Sequence, residues 1–529
     1  MSARFVLPAN QVEVFDTTLR DGMQVEGVSA SVVDKLRIAE QLDHLGVHYI
    51  EGGWPGANPK DEEFFARAKT ELKLTTSMLV AFGSTRRPAG KVDDDATLRN
   101  LINAETQAVC IVAKSWDYHV ETALQTTLVE GVAMVADSVK FLDGHGRMVM
   151  VDLEHFFDGF KHNKEFTLRV LEAAVVNGAT HLVLCDTNGG SLPHEIEATV
   201  AEVVRHVGND AIIGIHCHDD TGCAVANSLA AVRAGARHVQ GTLNGLGERT
   251  GNTNLTTIIP NLQLKMGFDC LPEGRLERLT AVSNHVAEVL NRPLNPQAPY
   301  VGMSAFAHKA GLHVSAIVRA KDAYEHVSPD LVGNGTRFLV SEMAGRATIA
   351  MKAQELGLSA DGAVLSTILD ELKRLEFEGY HFEAADASLE LLMRRATGWE
   401  QEFFNVESMR VITDESTSGS FTTEATVKVW MGEEREVHTA EGNGPVNAID
   451  TALRACLAKK FPQLSRVHLT DYKVRILDSS SATGAVTRVL IDATDGDRTW
   501  TTIGVSPNII EASWRALEES IVYGLLHLA

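Results

Sequence analysis

Two histidines, His216 and His218, stand two residues apart at the end of the extended apolar run AIIGIHC. Along a strand, residues i and i+2 project from the same face, so both imidazoles are offered to one side. Two imidazoles joined by a carboxylate oxygen, for which Asp21 is the candidate, make a donor set for a divalent cation with positions left open for a substrate. Asn252 could add a neutral oxygen. Arg20, next to Asp21, is either half of a structural ion pair with Glu51 or Asp186, or a fixed cation that stabilises a developing enolate or alkoxide. Glu154 reads equally as a substrate contact or as one side of a salt bridge, and Asp186 as a support that orients its neighbours.

These residues are far apart in sequence, and a repeating unit must gather them. Strand-like runs lie at 12–16, 47–53 and near 74–82, 107–113, 146–153, 180–185, 211–216 and 237–241, each followed by a helical stretch. The first helix spans 31–46, with Val33, Leu36, Ala39, Leu42 and Leu45 on one face, Ser31 with Asp34 as its cap, and Gly46 at its end. Alternation of this kind implies a parallel sheet. Eight units within residues 12–266 favour a closed (β/α)8 barrel, and no GxGxxG follows the first strand, against a dinucleotide-binding sheet. In such a barrel the active site forms just past the strand ends. Those positions hold Arg20-Asp21-Gly22, Glu51, Glu154-His155, Asp186-Thr187-Asn188, His216 to Asp220, and Asn244 with Asn252.

Beyond the barrel (1–270) the pattern changes twice. Residues 271–400 read as helical without strands, with segments near 275–291, 304–320, 344–356, 360–378 and 381–397. Residues 401–529 read as an α+β domain of two βββα units. Strands near 404–413, 422–431 and 434–439 lead to a helix at 445–460; strands near 467–477, 484–493 and 498–505 lead to a helix at 507–527. Pro445 and Pro507 each stand as a helix opener.

Of the 529 residues, 44% are hydrophobic and 22% charged, an ordinary globular balance. A net charge of −22 argues against sequence-independent nucleic-acid binding. No apolar run is long enough to span a membrane. The start, MSARFVLPANQVEVFD, does not read as a signal peptide, and a cytoplasmic location is expected. The six scattered cysteines form no CxxC pair and read as buried thiols in a reducing compartment.

The motifs FDTTLRDG (15–22), HCHDDTGCAVANS (216–228) and NGLGERTGN (244–252) resemble those of the metal-dependent condensing enzymes and lyases built on a (β/α)8 barrel. This family includes the 2-isopropylmalate, homocitrate and citramalate synthases. IEGGWPGANPKDEEFF (50–65), DYKVRILDSSSATGAVTRVLID (471–492) and GVSPNIIEASWRALEESIVYGLL (504–526) are most similar to the citramalate synthase branch. The resemblance implies an acyltransferase that condenses acetyl-CoA with pyruvate to (R)-citramalate and CoA, in isoleucine synthesis. Branched or longer keto acids, as for the isopropylmalate and homocitrate synthases, are the alternatives; a non-catalytic metabolite sensor is a third. Cleaving relatives carry a cysteine in the glycine-rich loop, and NGLGERTGN has none. The resemblance further implies a divalent metal (Mn, Mg, Co or Zn) on Asp21, His216, His218 and Asn252. Arg20 takes the place of the catalytic arginine, and Glu154 and Thr187 those of keto-acid contacts. AFAHKAGLH (305–313) resembles the segment that brings a general base to the partner barrel of a homodimer, with His313, or else His308, as that base. Ser315 replaces an acidic residue found there in several relatives, and Asp152 stands where some citramalate synthases carry a tyrosine. The repeated C-terminal domain resembles an amino-acid-sensing domain, implying feedback by isoleucine.

Overall fold

The structure, a computed structural model, describes residues 7–528 apart from 310, 321–322, 342–343, 400–401, 416–418, 478–481 and 483. Eight parallel strands close a barrel in sequence order. They are β1 (Glu13–Asp16), β2 (Tyr49–Gly53), β3 (Met78–Ser84), β4 (Ala108–Lys114), β5 (Met148–Glu154), β6 (His181–Asp186), β7 (Ile212–Cys217) and β8 (His238–Gly241). β1 pairs with both β2 and β8, which closes the ring and puts Arg20, Glu154 and His216 at one rim. Inside, Phe15, Tyr49, Val80, Phe82, Cys110 and Met150 form one apolar plug, while the outward faces pack under the helices. The barrel is therefore a filled core, and its chemistry is confined to its end.

Helix Val32–Leu45 shows how local sequence sets an element. The Ser31 hydroxyl accepts the Asp34 N–H (3.2 Å), and the Asp34 carboxylate accepts the Ser31 N–H (2.9 Å). Gly46, at φ 94°, ends the helix in the left-handed region. The face expected from Val33 is turned slightly: Val33 is 40% exposed, and Val32, Leu36, Ala39, Leu42 and Leu45 are buried. Polar residues enter the same face because each finds a partner. Lys35 pairs with Asp61 at 2.5 Å. Asp43 accepts the backbone N–H groups of Thr75, Thr76 and Ser77.

The chain divides into two compact units. The first comprises the barrel through Phe306 together with Glu325–Thr336; the second comprises Ala307–Tyr324 and the chain from Arg337 on. Helices Gly311–Arg319, Arg346–Glu355, Gly362–Phe377 and Asp386–Ala396 lie in the second unit. The expectation of a strand-free middle region needs one correction. β9 (Ala307–His308) and β10 (Arg337–Phe338) form a two-residue parallel pair, too short for alternation to reveal.

The C-terminal repeat forms two antiparallel three-stranded sheets. The first is β11 (Asn405–Glu415), β12 (Phe421–Met431) and β13 (Glu434–Gly442), followed by helix Pro445–Leu457. The second is β14 (His468–Ile476), β15 (Thr487–Thr494) and β16 (Thr499–Ser506), followed by helix Ile509–His527. Both sheets and both helices contribute to one apolar cluster. Pro445 opens its helix as expected. Pro507 does not: Asn508 caps the second helix by accepting the N–H groups of Ile510 and Glu511, which leaves Pro507 outside it. Part of the segment 471–492 lies outside the described residues.

Candidate active site

At the C-terminal rim of the barrel, Arg20, Asp21, Glu154, Thr187, His216 and His218 line one cavity of about 410 Å³. β7 ends at Cys217, so His216 and His218 reach the same opening from one strand end. His218 forms a backbone bridge with Asn252, which folds the glycine-rich loop back over the rim. Two glycines make that fold possible. A Cβ on Gly247 (φ 151°) would fall 2.3 Å from Asn252 Nδ2, and one on Gly251 (φ 96°) 2.0 Å from the Gly245 carbonyl.

Asp21 is the hub. Its Oδ2 lies 3.3 Å from His216 Nε2, 4.0 Å from His218 Nε2 and 3.4 Å from the Arg20 guanidinium. Burial favours its neutral form, but Arg20 and the two imidazoles outweigh burial and hold the carboxyl well below the usual range. Burial, aided by the neighbouring His216, pushes His218 down to about 3, which favours the neutral ring with one nitrogen lone pair available. His216 moves the other way: burial lowers its proton affinity, and Asp21 more than restores it.

The donor set fits a divalent cation. Donor atoms of Asp21, His216 and His218 lie within 4.8 Å of one another, and all three residues are buried. Asn252 is buried too; its Nδ2 donates to the Leu246 carbonyl, while its Oδ1 has no hydrogen-bond partner among the described residues. A buried acceptor left open costs about 1–3 kcal/mol, and a cation would satisfy it.

Arg20 makes the Glu51 ion pair, with Nε 2.7 Å from Oε2, and stacks over the Phe82 ring at 3.9 Å. Its expected alternative partner, Asp186, instead accepts from the Ser191 backbone and hydroxyl and shapes the loop after β6. The guanidinium is thus clamped in place while still lining the cavity. Glu154 pairs with Lys114. The Thr187 hydroxyl accepts the His155 N–H at 2.9 Å. Asn244 is not in the cavity; its amide exchanges hydrogen bonds with Ser283.

His313 is half-buried in helix Gly311–Arg319 of the second unit, stacked on Tyr324 at a ring distance of 4.2 Å. His308 lies in β9 of the same unit. The Ser315 side chain lies outside the described residues. The six cysteines are unpaired; five are buried and Cys223 is half-buried.

Sequence reasoning missed several residues of the cavity. Lys114, Trp54 and Cys185 line it. Behind them, Gln240 of β8 places its Oε1 2.8 Å from His216 Nδ1. In the run HVQG, His238 and Gln240 stand two apart in an otherwise apolar strand, a signal that two polar side chains point into the barrel.

Three family models match successive parts of the chain: HMGL-like over residues 11–286, homocitrate synthase post-HMGL domain-like over 300–379, and LeuA allosteric (dimerisation) domain over 383–525. The (R)-citramalate synthase of Aquifex aeolicus (strain VF5) is 53% identical over 522 residues, 98% of each chain. That of Streptomyces coelicolor is 54% identical over 516 residues, 97% of this chain and 96% of the other. The 2-isopropylmalate synthase of Shewanella sp. (strain W3-18-1) is 31% identical over 516 residues, 96% of this chain and 94% of the other. With an HMGL-like barrel and full-length identity above one half, the chain belongs to the (R)-citramalate synthase family.

Proposed function

We propose that this chain condenses acetyl-CoA with pyruvate and hydrolyses the thioester, giving (R)-citramalate and CoA for isoleucine synthesis in the cytoplasm. The observation that carries the reading is the cluster of Asp21, His216 and His218 beside Arg20 in one rim cavity of an HMGL-like barrel, with Asn252 bridged to His218 through the backbone. A divalent cation held by those four residues would supply Lewis-acid polarisation of the keto group.

The chain's own residues do the rest. Thr187 accepts from His155, so its own hydroxyl hydrogen is free to donate to the keto-acid carboxylate. Glu154, held by Lys114, contacts the same substrate. His313 of one protomer, working at the barrel of its partner, removes a methyl proton from acetyl-CoA. The resulting carbanion equivalent forms a C–C bond to the keto carbon as the C=O π pair moves to oxygen, Arg20 faces that negative charge, and the alkoxide then takes up a proton to give the hydroxyl. Water then cleaves the C–S bond, releasing CoA thiol and a carboxylate. In the same proposal residues 1–270 carry the chemistry, 271–400 deliver the base, and 401–529 sense isoleucine in a homodimer.

The test is CoA release from acetyl-CoA with Mg or Mn present, across pyruvate, 2-ketobutyrate, 2-ketoisovalerate and 2-ketoglutarate. Preference for pyruvate is expected. Preference for 2-ketoisovalerate or 2-ketoglutarate would move the enzyme to another keto acid, and no release at all would remove the condensing reading. Isoleucine added to the full-length enzyme should inhibit it; unchanged activity would discard the sensing role.

A further inference from the structure

Five side chains at the barrel rim form a closed ring. Arg20 contacts Asp21 (3.4 Å), and Asp21 contacts His216 Nε2 (3.3 Å). His216 Nδ1 contacts Gln240 Oε1 (2.8 Å), and Gln240 Nε2 contacts Asp152 Oδ1 (3.0 Å). Asp152 Oδ2 returns to the Arg20 guanidinium at 4.0 Å. All but Arg20 are buried, and they come from β5, β7, β8 and the loop after β1.

Hydrogen-bond polarity along the stretch from His216 through Gln240 to Asp152 runs one way. The Asp152 carboxylate, facing Arg20, accepts only, so the amide hydrogens of Gln240 must turn toward it. Gln240 Oε1 then faces His216 and also accepts only, so His216 must carry a proton on Nδ1. Its Nε2 is the nitrogen directed at Asp21. Were Gln240 flipped, its oxygen would meet the Asp152 carboxylate, two acceptors face to face. Without Asp152, either amide orientation would be open and His216 could hold its single proton on the wrong nitrogen.

We propose that Asp152 and Gln240 are positioning residues that fix His216 in the tautomer able to ligate a metal through Nε2. Carboxylate-oriented imidazole ligands gain affinity because the outer partner sets both tautomer and ring angle. Here the carboxylate acts through an intervening amide, and its second oxygen faces Arg20. One chain of contacts thus aligns the metal ligand and the cation beside it. This rests on the metal reading of the site, so the test separates the two.

Metal affinity of the full-length protein is measured by titrating Co(II), with the visible Co(II) spectrum as a second readout. Gln240→Leu should weaken binding about 10- to 100-fold. Gln240→Glu alone, which sets two carboxylates face to face, should also weaken it. The paired change Asp152→Asn with Gln240→Glu keeps every donor opposite an acceptor and should restore affinity to within a few-fold of the parent. Equal loss in the pair and in Gln240→Leu would overturn the relay, because packing alone would then explain both. Unchanged affinity in Gln240→Leu would overturn it too. If the parent binds no Co(II), or if Asp21→Ala binds it as tightly as the parent, the metal reading fails and takes the relay with it.

Discussion

The barrel carries one carboxylate and two imidazoles at each of its ends. At the rim they are Asp21, His216 and His218; at the floor, among the first residues of their strands, they are Glu13, His181 and His238. Both groups are buried and both bring donor atoms within 4.8 Å. At the floor the carboxylate is already occupied. Glu13 Oε2 lies 2.8 Å from His181 Nε2, and Oε1 accepts from the Tyr49 hydroxyl at 3.1 Å. At the rim the donors line a cavity of about 410 Å³, and Asn252, bridged to His218 through the backbone, has an Oδ1 with no hydrogen-bond partner among the described residues. Donor identity alone does not make a metal site. An open position and an orienting shell do, and the floor of a barrel of this kind serves stability.

The sharpest way to break this contrast is at the rim. Asp21→Ala or His218→Ala should reduce metal-dependent CoA release by about 10³-fold or more, from the loss of several kcal/mol of charge stabilisation. Circular dichroism should show the fold intact, and full activity in either variant would refute the site. Arg20→Lys comes next, with an expected loss of about 10²–10³ in kcat. A lysine cannot hold the bond to Glu51, the stacking on Phe82 and the approach to Asp21 together. A kcat within a few-fold of the parent would return Arg20 to a structural role.

Glu13→Ala sharpens the comparison from the other end. It strips a buried hydrogen-bond acceptor from His181 and Tyr49, so urea unfolding should show a loss of about 3 kcal/mol. The metal content per chain should stay the same; a fall by one equivalent would make the floor a second metal site. The smallest effect belongs to Asp43, in the last turn of helix Val32–Leu45. Burial acts to raise its carboxyl, but bonds from Ser77, Thr75 and Thr76 outweigh burial and hold it below its ordinary 3.8. A folded-state pKa below the unfolded one stabilises the protein above about pH 4, and that gain is lost as the pH falls through the folded value. Asp43→Asn should cost about 1–2 kcal/mol at neutral pH. Its melting temperature should converge with the parent's as the pH falls below the ordinary 3.8 and through the lower folded-state value, and a constant gap throughout that fall would contradict the assignment.

Much of this was legible in the chain. Strand-helix alternation over 12–266 implied the closed barrel, because each run buries a face that only a neighbouring unit can cover. The spacing of His216 and His218 placed two imidazoles on one side of a strand. Lys114 and Trp54 were not legible, since a single polar or aromatic residue at a strand end has many possible surroundings. Val33 and Pro507 were misplaced by one or two residues, because helix phase and start are set by capping and packing that a periodic pattern blurs. The described helices include none long and apolar enough to cross a membrane.

The sequence by itself determined the order of elements, the repeat at the C-terminus and the residue types at the rim, all of which follow from local periodicity and side-chain chemistry. Only the tertiary structure decided which carboxylate meets which cation. Arg20 turns to Glu51 rather than Asp186, and Glu154 to Lys114. It alone showed that the rim set lines a cavity, whereas at the floor the carboxylate is held by His181 and Tyr49. The physical reason is that both sets hold the same donor types; what distinguishes them is whether they line a cavity, and neighbours across a barrel are set by closure and register.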